Sequence, residues 1–331
     1  MSPHLALYSL RLAALRYFLM STEWPIVFMG TPQIAAATLE QLALSPDPVV
    51  GVVTQPDRPA GRGQKNISTP VRRMAESQGI PVVAPEKIRD PNFLATLKSW
   101  HPQIVVVVAF GRILPAAILE LAPHGCLNVH YSLLPKFRGA APVAWTIING
   151  EKEGGVSTMK LVEKMDAGPI YRQESVLLAP DETTASLQAK LTPVGIRLLL
   201  TTIRRIKEGS IQPQVQNENE ATFAPLIKKE DGLIDWHEPA SVIERRVRGF
   251  NPWPSAFTHL HGKLLKVHHA AVVATTEKGD PGEIIRADAQ GFWVATGSGV
   301  LRLEEVQWEN KNRLPGAEFA KGARIAQGEH L

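Results

Sequence analysis

The sequence predicts an α/β protein: a Rossmann-like N-terminal domain on a mainly parallel sheet, followed by a small all-β, OB-like barrel. From Trp24 onward, short segments rich in Val and Ile alternate with segments of helical periodicity. This alternation is typical of a parallel sheet covered by helices on both faces. After Lys228 the pattern changes to short strands separated by Gly and Asp turns, which indicates a barrel.

Strands and helices alternate along the N-terminal half. The predicted strands are 24–31, 48–56, IPVVAPE, 104–111 and 125–132, and the predicted helices are 34–45, 69–79, DPNFLATLKSWHP and LPAAILELAP. The run IVVVVAFG at 104–111 is the strongest buried strand because it is almost entirely apolar. Ligands of such sheets bind outside the carboxyl ends of the strands. The end of the 125–132 strand is therefore a candidate site.

The middle of the chain sets the domain boundaries. Residues 155–178 indicate two strands joined by a turn at Asp-Ala-Gly-Pro. A long helical segment follows, and Pro193 near its middle predicts a kink or a split. The next segment is polar and rich in Gln and Asn. We therefore predict an extension at 1–22, an α/β domain at 23–211, a linker at 212–230 and the barrel at 231–331.

The composition fits an ordinary globular protein and excludes a disulfide framework. With 331 residues, the chain is long enough for about two domains with their own cores. Cys126 is the single cysteine, so no internal disulfide can form and a reducing compartment is favoured. The net charge is +4, and the net positive charge lies in the N-terminal half: residues 56–73 hold five basic residues and one acid, whereas the part from Lys228 onward holds 14 of each sign. That half would meet a polyanionic partner most strongly.

The first 22 residues are Leu- and Ala-rich, with Arg11 and Arg16 and no acidic residue. They are too short and too interrupted to span a membrane, and no clean secretory cleavage site follows. We expect a disordered or misassigned extension, with Met20 as the true start. An Arg-bearing start without acids is also compatible with a mitochondrial presequence. Cytoplasmic location is the expectation, and the mitochondrial matrix is the alternative.

Several common binding sites are missing from the sequence. FMGTPQIAA has one glycine where a dinucleotide-binding loop needs three, and no GxxxxGK(S/T) phosphate loop occurs. Cys126 has no partner for a metal. His259, His261, His268 and His269 lack a Cys or carboxylate at ligand spacing. We interpret them as exposed strand histidines rather than a metal site.

Asn128 and His130 are the first candidates for chemistry. They lie two residues apart on a predicted strand, so both side chains point to one face. The amide of Asn128 can donate to an oxyanion, and His130 can move a proton near neutral pH, a pairing that suits acyl transfer. Asp166, 36 residues after His130, could orient the imidazole. The alternative is a polar strand end and a simple turn, and spacing alone does not decide between them.

Two loops are candidates for binding. SLLPKFRGAAP, residues 132–142, has no periodicity. Its backbone groups would be free to hydrogen-bond a flat heterocycle beside apolar walls, or it is an ordinary loop. TQPDRPAGRGQK, residues 54–65, carries two prolines, two glycines and three cations. It either reaches phosphates or is a solvated loop.

With these residues in view, the sequence resembles the methionyl-tRNA formyltransferases from Trp24 to the C-terminal barrel. The segments that carry the resemblance are VTQPDRPAGRGQK, LNVHYSLLPKFRGAAP, MDAGPIY and RGFNPWPSA. The second marks the wider superfamily that uses formyltetrahydrofolate. The first, together with an all-β C-terminal domain, narrows the resemblance to the enzymes that act on tRNA.

The resemblance implies a set of roles. Asn128, His130 and Asp166 match the catalytic residues, and no metal is required. The co-substrate is 10-formyltetrahydrofolate, contacted by Ser132, Leu133, Leu134 and Pro135. Initiator methionyl-tRNA is the acceptor, with Arg58, Arg62 and Lys65 in the loop that enters its acceptor end. The barrel touches the tRNA backbone, and because its charge is near neutral we expect a local patch of Arg245, Arg246 and Arg248 to do so. A monomer away from membranes is expected.

Two positions depart from the family pattern. Tyr131 stands where many members have Gly, and on a strand it should point away from Asn128 and His130. Gln64 replaces a common Lys of the basic loop. Three rivals stay open: formyl transfer to a nucleotide-linked amino sugar, formyltetrahydrofolate hydrolysis, and RNA binding without catalysis. The basic loop argues against the first two, and the candidate catalytic set argues against the third.

Overall fold

The computed structural model describes residues 23–60 and 65–331. The predicted extension at 1–22 lies outside these ranges, as do Arg62 and Gln64. The described chain divides into two compact units. The first, here called the α/β unit, comprises the described residues up to Arg138 together with Gly155–Ser175 and Leu191–Thr222. The second, the C-terminal unit, comprises Gly139–Gly154, Val176–Lys190 and Phe223–Leu331.

Strands and helices alternate as predicted in the first two thirds of the chain. The strands are β1 (Ile26–Gly30), β2 (Val49–Val53), β3 (Arg58–Ala60), β4 (Lys65–Ile67), β5 (Val82–Val83), β6 (Ile104–Val108), β7 (Cys126–His130), β8 (Arg138–Gly139), β9 (Glu153–Lys160) and β10 (Ile170–Leu177). The helices are α1 (Gln33–Ala43), α2 (Pro70–Ser77), α3 (Pro91–Ser99), α4 (Ala116–Leu119), α5 (Pro142–Ile148) and α6 (Thr184–Lys207).

Seven of these strands form one sheet in the order β10-β9-β7-β6-β1-β2-β5. The pairs β7-β6, β6-β1, β1-β2 and β2-β5 are parallel, whereas β9 runs antiparallel to β7. The mainly parallel sheet of the prediction is therefore confirmed. Its parallel strands end at a common edge, and the carboxyl end of β7 lies at that edge beside β6.

The continuous apolar runs of the sequence form the centre of the sheet. Every residue of β1 and β6 is buried. One face packs into an apolar cluster that includes Val27, Val105, Phe93 and Leu97. Each fully buried side chain of this kind contributes about 1.5–3 kcal/mol from removal of apolar surface from water. This packing gives β7 a rigid neighbour.

Two local features differ from the sequence-based expectation. The helix α6 continues through Pro193, so the predicted split does not occur and the kink stays a prediction. A proline removes its own bond to the carbonyl four residues earlier, and Leu198 and Leu199, both buried, secure the turns that follow. The basic loop contains a short antiparallel ribbon, β3–β4, with Arg58 opposite Ile67 and Ala60 opposite Lys65.

The C-terminal unit carries the antiparallel sheet that the sequence predicted. Its further elements are β11 (Phe223–Ala224), α7 (Ala240–Gly249), β12 (Ala256–Leu260), β13 (Lys263–Val273), β14 (Ile284–Asp288), β15 (Gly291–Ala295), β16 (Val300–Trp308), β17 (Leu314–Pro315) and α8 (Gly316–Ala323). The sheet order is β12-β13-β16-β15-β14, with β17 on β16, and its pairs are antiparallel. The helices α7 and α8 add Ile243, Val247 and Phe319 to its core. In the described part of the chain, no helix has the length and apolar character to cross a membrane.

Candidate active site

The strand β7 positions two polar side chains in a buried setting. Asn128 and His130 lie on one face of this strand, and they are 8% and 6% exposed. The strand is fixed on both edges, by β6 on one side and β9 on the other. Tyr131 points to the opposite face, as predicted, where its hydroxyl would lie 3.4 Å from a Cβ added at Gly195. The Gly-to-Tyr departure therefore leaves the polar face of β7 unobstructed.

The imidazole of His130 lies between two oxygen atoms. Its Nδ1 is 3.7 Å from Oδ2 of Asp166, and its Nε2 is 3.0 Å from the carbonyl oxygen of Phe137. Both oxygens belong to residues with positive φ, 47° at Asp166 and 60° at Phe137, a conformation that is rare outside glycine and typical of functional turns. The structure thus brings together the His and Asp that sequence spacing could not connect.

This arrangement constrains the protons of the ring. A carbonyl oxygen only accepts, so the contact with Phe137 requires a hydrogen on Nε2. The carboxylate of Asp166 lies farther away, 3.7 Å from Nδ1, so a ring with its hydrogen on Nε2 keeps a lone pair on Nδ1 beside this carboxylate. The Phe137 carbonyl therefore holds the buried His130 at Nε2, and Nδ1, beside Asp166, is left to exchange a proton.

The loop that follows β7 is held by two residues that the sequence analysis did not single out. Ser157 Oγ donates to the carbonyl of Ser132 (2.6 Å) and accepts from the N–H of Leu134 (3.1 Å). Gln173 Nε2 donates to the carbonyl of Leu134 (2.8 Å) and to Ser157 Oγ (2.9 Å). The Leu134–Pro135 peptide is cis.

These bonds correct one expectation. The backbone groups of Leu134 were expected to be free for a ligand, but both are bonded within the protein, and Ser132 Oγ donates to the Lys136 carbonyl at 2.7 Å. Leu134 itself is buried, whereas Leu133 and Pro135 are partly exposed. The loop therefore offers a rigid, mainly apolar wall. The sequence offered little indication of the roles of Ser157 and Gln173, because both are ordinary polar residues on predicted strands.

A second polar network ties together the carboxyl ends of β1, β2 and β6. Thr31 Oγ1 and Gln55 Nε2 both donate to the carbonyl of Phe110, at 3.2 and 3.0 Å. Arg112 Nε donates to Gln55 Oε1 at 3.0 Å. Each of these polar residues follows closely on a buried strand. This position in the sequence could have indicated that they belong to the site. The edge of the sheet next to the candidate site is thereby fixed in shape.

Comparisons with known proteins identify the family. A formyltransferase family model matches residues 25–203, and the model of the formyltransferase C-terminal domain matches residues 226–324. This chain belongs to the formyltransferase family. The family resemblance and the fold class drawn from the sequence are confirmed.

Individual relatives extend the match along the chain. A methionyl-tRNA formyltransferase of Desulfotalea psychrophila is 47% identical over 91% of this chain and 93% of its own length. One of Geobacter metallireducens is 45% identical over 92% of this chain and 98% of its own length. Both span the two units of this formyltransferase.

Solved structures show the same fold at low identity. HypX from Aquifex aeolicus, in complex with tetrahydrofolic acid, matches with a TM-score of 0.60, 17% identity and 93% coverage of this chain. This chain spans 49% of the length of HypX. The N-formyltransferase from Helicobacter canadensis, in complex with folinic acid and dTDP-3-aminofucose, matches with a TM-score of 0.62 and 19% identity, over 85% of this chain and 99% of its own.

A carboxylate anchors the chain next to the β3–β4 ribbon. Arg58 is exposed. Beside it, Arg72 Nε lies 3.1 Å from Oδ1 of Asp57, and Ser68 Oγ donates to Oδ2 of Asp57 at 3.4 Å. Arg62 and the side chain of Lys65 lie outside the described residues, so their part in tRNA binding stays a prediction.

The arginines of the expected C-terminal patch are already engaged within their own unit. Arg245 Nε donates to the carbonyl of Ile148 at 3.0 Å, Arg246 is 3.7 Å from Glu238, and Arg248 pairs with Glu244. Two of the three charges are therefore partly neutralised by neighbouring carboxylates. Contact of this patch with tRNA remains a prediction.

The four candidate histidines do not gather around one point. His261 lies 3.1 Å from Glu329, and His269 pairs with Glu304. His268 is buried, with Nε2 2.8 Å from Gln307 Oε1, which corrects the expectation that all four are exposed. Among residues 23–60 and 65–331, no group of three His, Cys, Asp or Glu side chains is placed to hold a metal.

Proposed function

We propose that this chain transfers the formyl group of 10-formyltetrahydrofolate to the α-amine of methionyl-initiator-tRNA, giving formylmethionyl-tRNA for translation initiation. The observation that carries the proposal is the buried His130, flanked by Asp166 and beside Asn128 on one strand face. This set of groups suits acyl transfer, and the relatives that match along the chain are named methionyl-tRNA formyltransferases.

Each catalytic residue has a defined task. The amine nitrogen attacks the formyl carbon, a new C–N bond forms, and the formyl oxygen gains negative charge. The side-chain amide of Asn128 donates to this oxygen. His130 takes the proton that the amine loses and delivers it toward N10 of the folate as the old C–N bond breaks. Asp166 holds the imidazole in orientation and stabilises its cation.

The buried setting of these groups strengthens their action. A hydrogen bond or ion pair is electrostatically stronger where water is excluded. Because β7 is paired on both edges, Asn128 and His130 are held in position before substrate arrives. Preorganised donors cost little reorganisation when charge develops. No step in this mechanism passes through a metal.

The folate lies in our proposal against residues Ser132, Leu133, Leu134 and Pro135. The bonds from Ser157 and Gln173 keep that segment rigid, and the partly exposed Leu133 and Pro135 supply an apolar surface. A flat heterocycle packs well on such a wall. The tRNA meets the basic loop at residues 54–65 through Arg58, Arg62 and Lys65, whose charges suit phosphates. We also propose a monomeric enzyme that works in the cytoplasm.

A sugar acceptor is the strongest rival, since the Helicobacter canadensis structure holds dTDP-3-aminofucose. At 19% identity that likeness concerns the fold alone. The basic ribbon with Arg58 and its anchored base favours a polyanionic acceptor, because a small sugar nucleotide has no need of several cations beyond its diphosphate.

The deciding experiment offers the protein three acceptors with radiolabelled 10-formyltetrahydrofolate: methionyl-initiator-tRNA, a dTDP-amino sugar, and water alone. We expect label in the tRNA and little in the other two. Chains starting at Met1 and at Met20 should behave alike. Label in the sugar, or release of formate without acceptor, would overturn the proposal in favour of the corresponding rival. Folate and tRNA binding without any transfer would indicate a non-catalytic protein.

A further inference from the structure

The predicted linker, residues 212–230, begins within the α/β unit, which extends to Thr222. Ile170 and Gln214 exchange two backbone hydrogen bonds, both 2.8 Å, so the segment pairs with the start of β10. The turn that carries Asp166 lies immediately before this strand. The pairing therefore brings the residues after Gln214 to the catalytic turn.

Gln216 links that turn to a buried arginine. Its side chain is 6% exposed, and its Nε2 donates to the carbonyls of Asp166 (2.8 Å) and Gly168 (2.6 Å). Its Oε1 accepts from Nε (3.0 Å) and Nη2 (2.8 Å) of Arg138. All four hydrogen-bonding positions of the amide are used. The orientation of this amide is thus determined, because only its NH2 end can bond two carbonyls.

Arg138 provides a fixed support for Gln216. It is 1% exposed, and its guanidinium also contacts the carboxylate of Glu218 at 2.9 and 3.2 Å. A planar guanidinium with two acceptors has little freedom to rotate. Glu218 in turn accepts from Lys164 at 2.6 Å. These bonds lower the pKa of Glu218 to about 2, so the pair persists over the range of pH in which the enzyme would work.

Thr222 acts on the other side of His130. Its Oγ1 accepts from the N–H of Phe137 at 2.9 Å, and its carbonyl accepts from the N–H of Arg138 at 2.9 Å. The carbonyl of Phe137 is the one that contacts Nε2 of His130 at 3.0 Å. One short segment therefore bonds to both residues whose oxygens flank the imidazole, Asp166 at Nδ1 and Phe137 at Nε2.

We infer that Gln216 and Thr222 are positioning residues of the formyltransferase reaction, and that they set the orientation of His130 through Asp166 and Phe137. The inference rests on the proposed function for its kinetic readout. Neither residue reaches the reacting atoms. Gln216 bonds the main-chain carbonyl of Asp166, whose carboxylate lies beside Nδ1 of His130. Thr222 bonds the main-chain N–H of Phe137, whose carbonyl contacts Nε2. The segment Gln216–Thr222 thus belongs to the catalytic apparatus.

The first test replaces Gln216 by Glu. Gln216→Glu keeps the shape and the acceptor for Arg138, but it places a carboxylate oxygen against two carbonyl oxygens of the catalytic turn. Gln214→Glu is the matched control, because Gln214 is exposed two residues away. We expect kcat of Gln216→Glu to fall about 10–100-fold. The KM values for folate and tRNA should stay within about twofold, and Gln214→Glu should resemble the wild type.

The second test changes Thr222 without adding charge. Thr222→Val keeps the shape and removes the acceptor for the Phe137 N–H, whereas Thr222→Ser retains it. We expect kcat to fall several-fold in Thr222→Val and to recover in Thr222→Ser, since the hydroxyl is what matters. This pair decides the inference if Gln216→Glu does not fold.

A spectroscopic measurement makes the result independent of turnover. The ¹⁵N resonances of the His130 ring, assigned by their loss in His130→Gln, should shift in Gln216→Glu and Thr222→Val but not in Gln214→Glu. Unchanged resonances together with unchanged kcat would overturn the inference, as would a rise of both KM values with kcat unaffected. A wild-type protein that forms no formylmethionyl-tRNA would refute the proposed function, and the resonances would still test the positioning.

Discussion

The end of β7 and the β3–β4 ribbon carry the two groups of polar residues on which the proposed function rests, and the two groups differ in burial, in rigidity and in their exposure to solvent. Asn128 and His130 are buried on a strand that is paired on both edges. Arg58 is exposed on a ribbon of two short strands. Our proposal therefore places the chemistry where positions are fixed and water is excluded, and the recognition of tRNA where cations stay solvated.

This difference predicts how substitutions act. A change at the end of β7 removes an interaction made in the transition state, so it should lower kcat. A change in the ribbon removes one of several screened charge contacts, so it should raise KM for tRNA and alter the salt dependence. A β7 variant that mainly raises KM for tRNA, or a ribbon variant that mainly lowers kcat, would contradict this difference between the two regions.

The largest effect is expected at Asn128. Asn128→Ala removes the donor to the developing oxyanion, and loss of one such donor lowers kcat by about 100-fold or more. The measurement is single-turnover formylation of methionyl-tRNA, with Asn92→Ala on α3, an exposed residue, as control. His130→Ala should be at least as slow. Turnover within a few-fold of wild type in either variant would show that the catalytic assignment is wrong.

The second effect concerns the turn that carries Asp166. A Cβ on Gly168 would lie 1.8 Å from the carbonyl oxygen of Lys160, so Gly168→Ala must displace the turn. A displacement of about 1 Å costs as much as 100-fold in rate, and we expect kcat to fall at least about tenfold. Gly322→Ala is the control, since a Cβ there meets nothing within 4 Å. If Gly168→Ala kept full kcat, the orientation of Asp166 would not limit the reaction.

The residues near this turn show what the sequence could and could not predict. Strands such as β6 follow from uninterrupted apolar runs, and Asn128 and His130 share a face because of strand periodicity alone. The 3.7 Å approach of Asp166 to His130 depends on tertiary structure, which spacing does not encode. The role of Gln216 could not be predicted, because it lies in a polar segment and composition does not distinguish a buried, fully bonded Gln from an exposed one.

The ribbon should give a smaller effect of a different kind. Arg62→Ala removes one cation from the basic loop, which should raise KM for tRNA a few-fold and reduce the slope of log affinity against log salt by about 1. Folate binding should not change. Lys98→Ala on α3 is the control for simple loss of charge. An equal loss of folate and tRNA binding would contradict the separation of recognition from chemistry.

The smallest effect is expected in stability at low pH. The pKa of Glu218 is lowered to about 2 by hydrogen bonds from Arg138 and Lys164, whereas in the unfolded chain it is about 4.3. Between these values the unfolded state binds more protons, so the stabilisation from Glu218 is complete above pH ~4.3 and is lost as pH falls through ~2.

Glu218→Gln removes this dependence. The difference in Tm between wild type and Glu218→Gln should be constant above pH ~5 and should shrink toward zero as the pH approaches ~2. It should be small at every pH, because Glu218 is exposed and solvent screens its charge. The kcat of Glu218→Gln tests whether Glu218 or Gln216 holds the turn that carries Asp166. Gln216 still bonds both Arg138 and the catalytic turn in this variant, so kcat should change less than in Gln216→Glu. A larger fall in kcat for Glu218→Gln would show that the charge of Glu218, rather than the amide of Gln216, holds the turn in place.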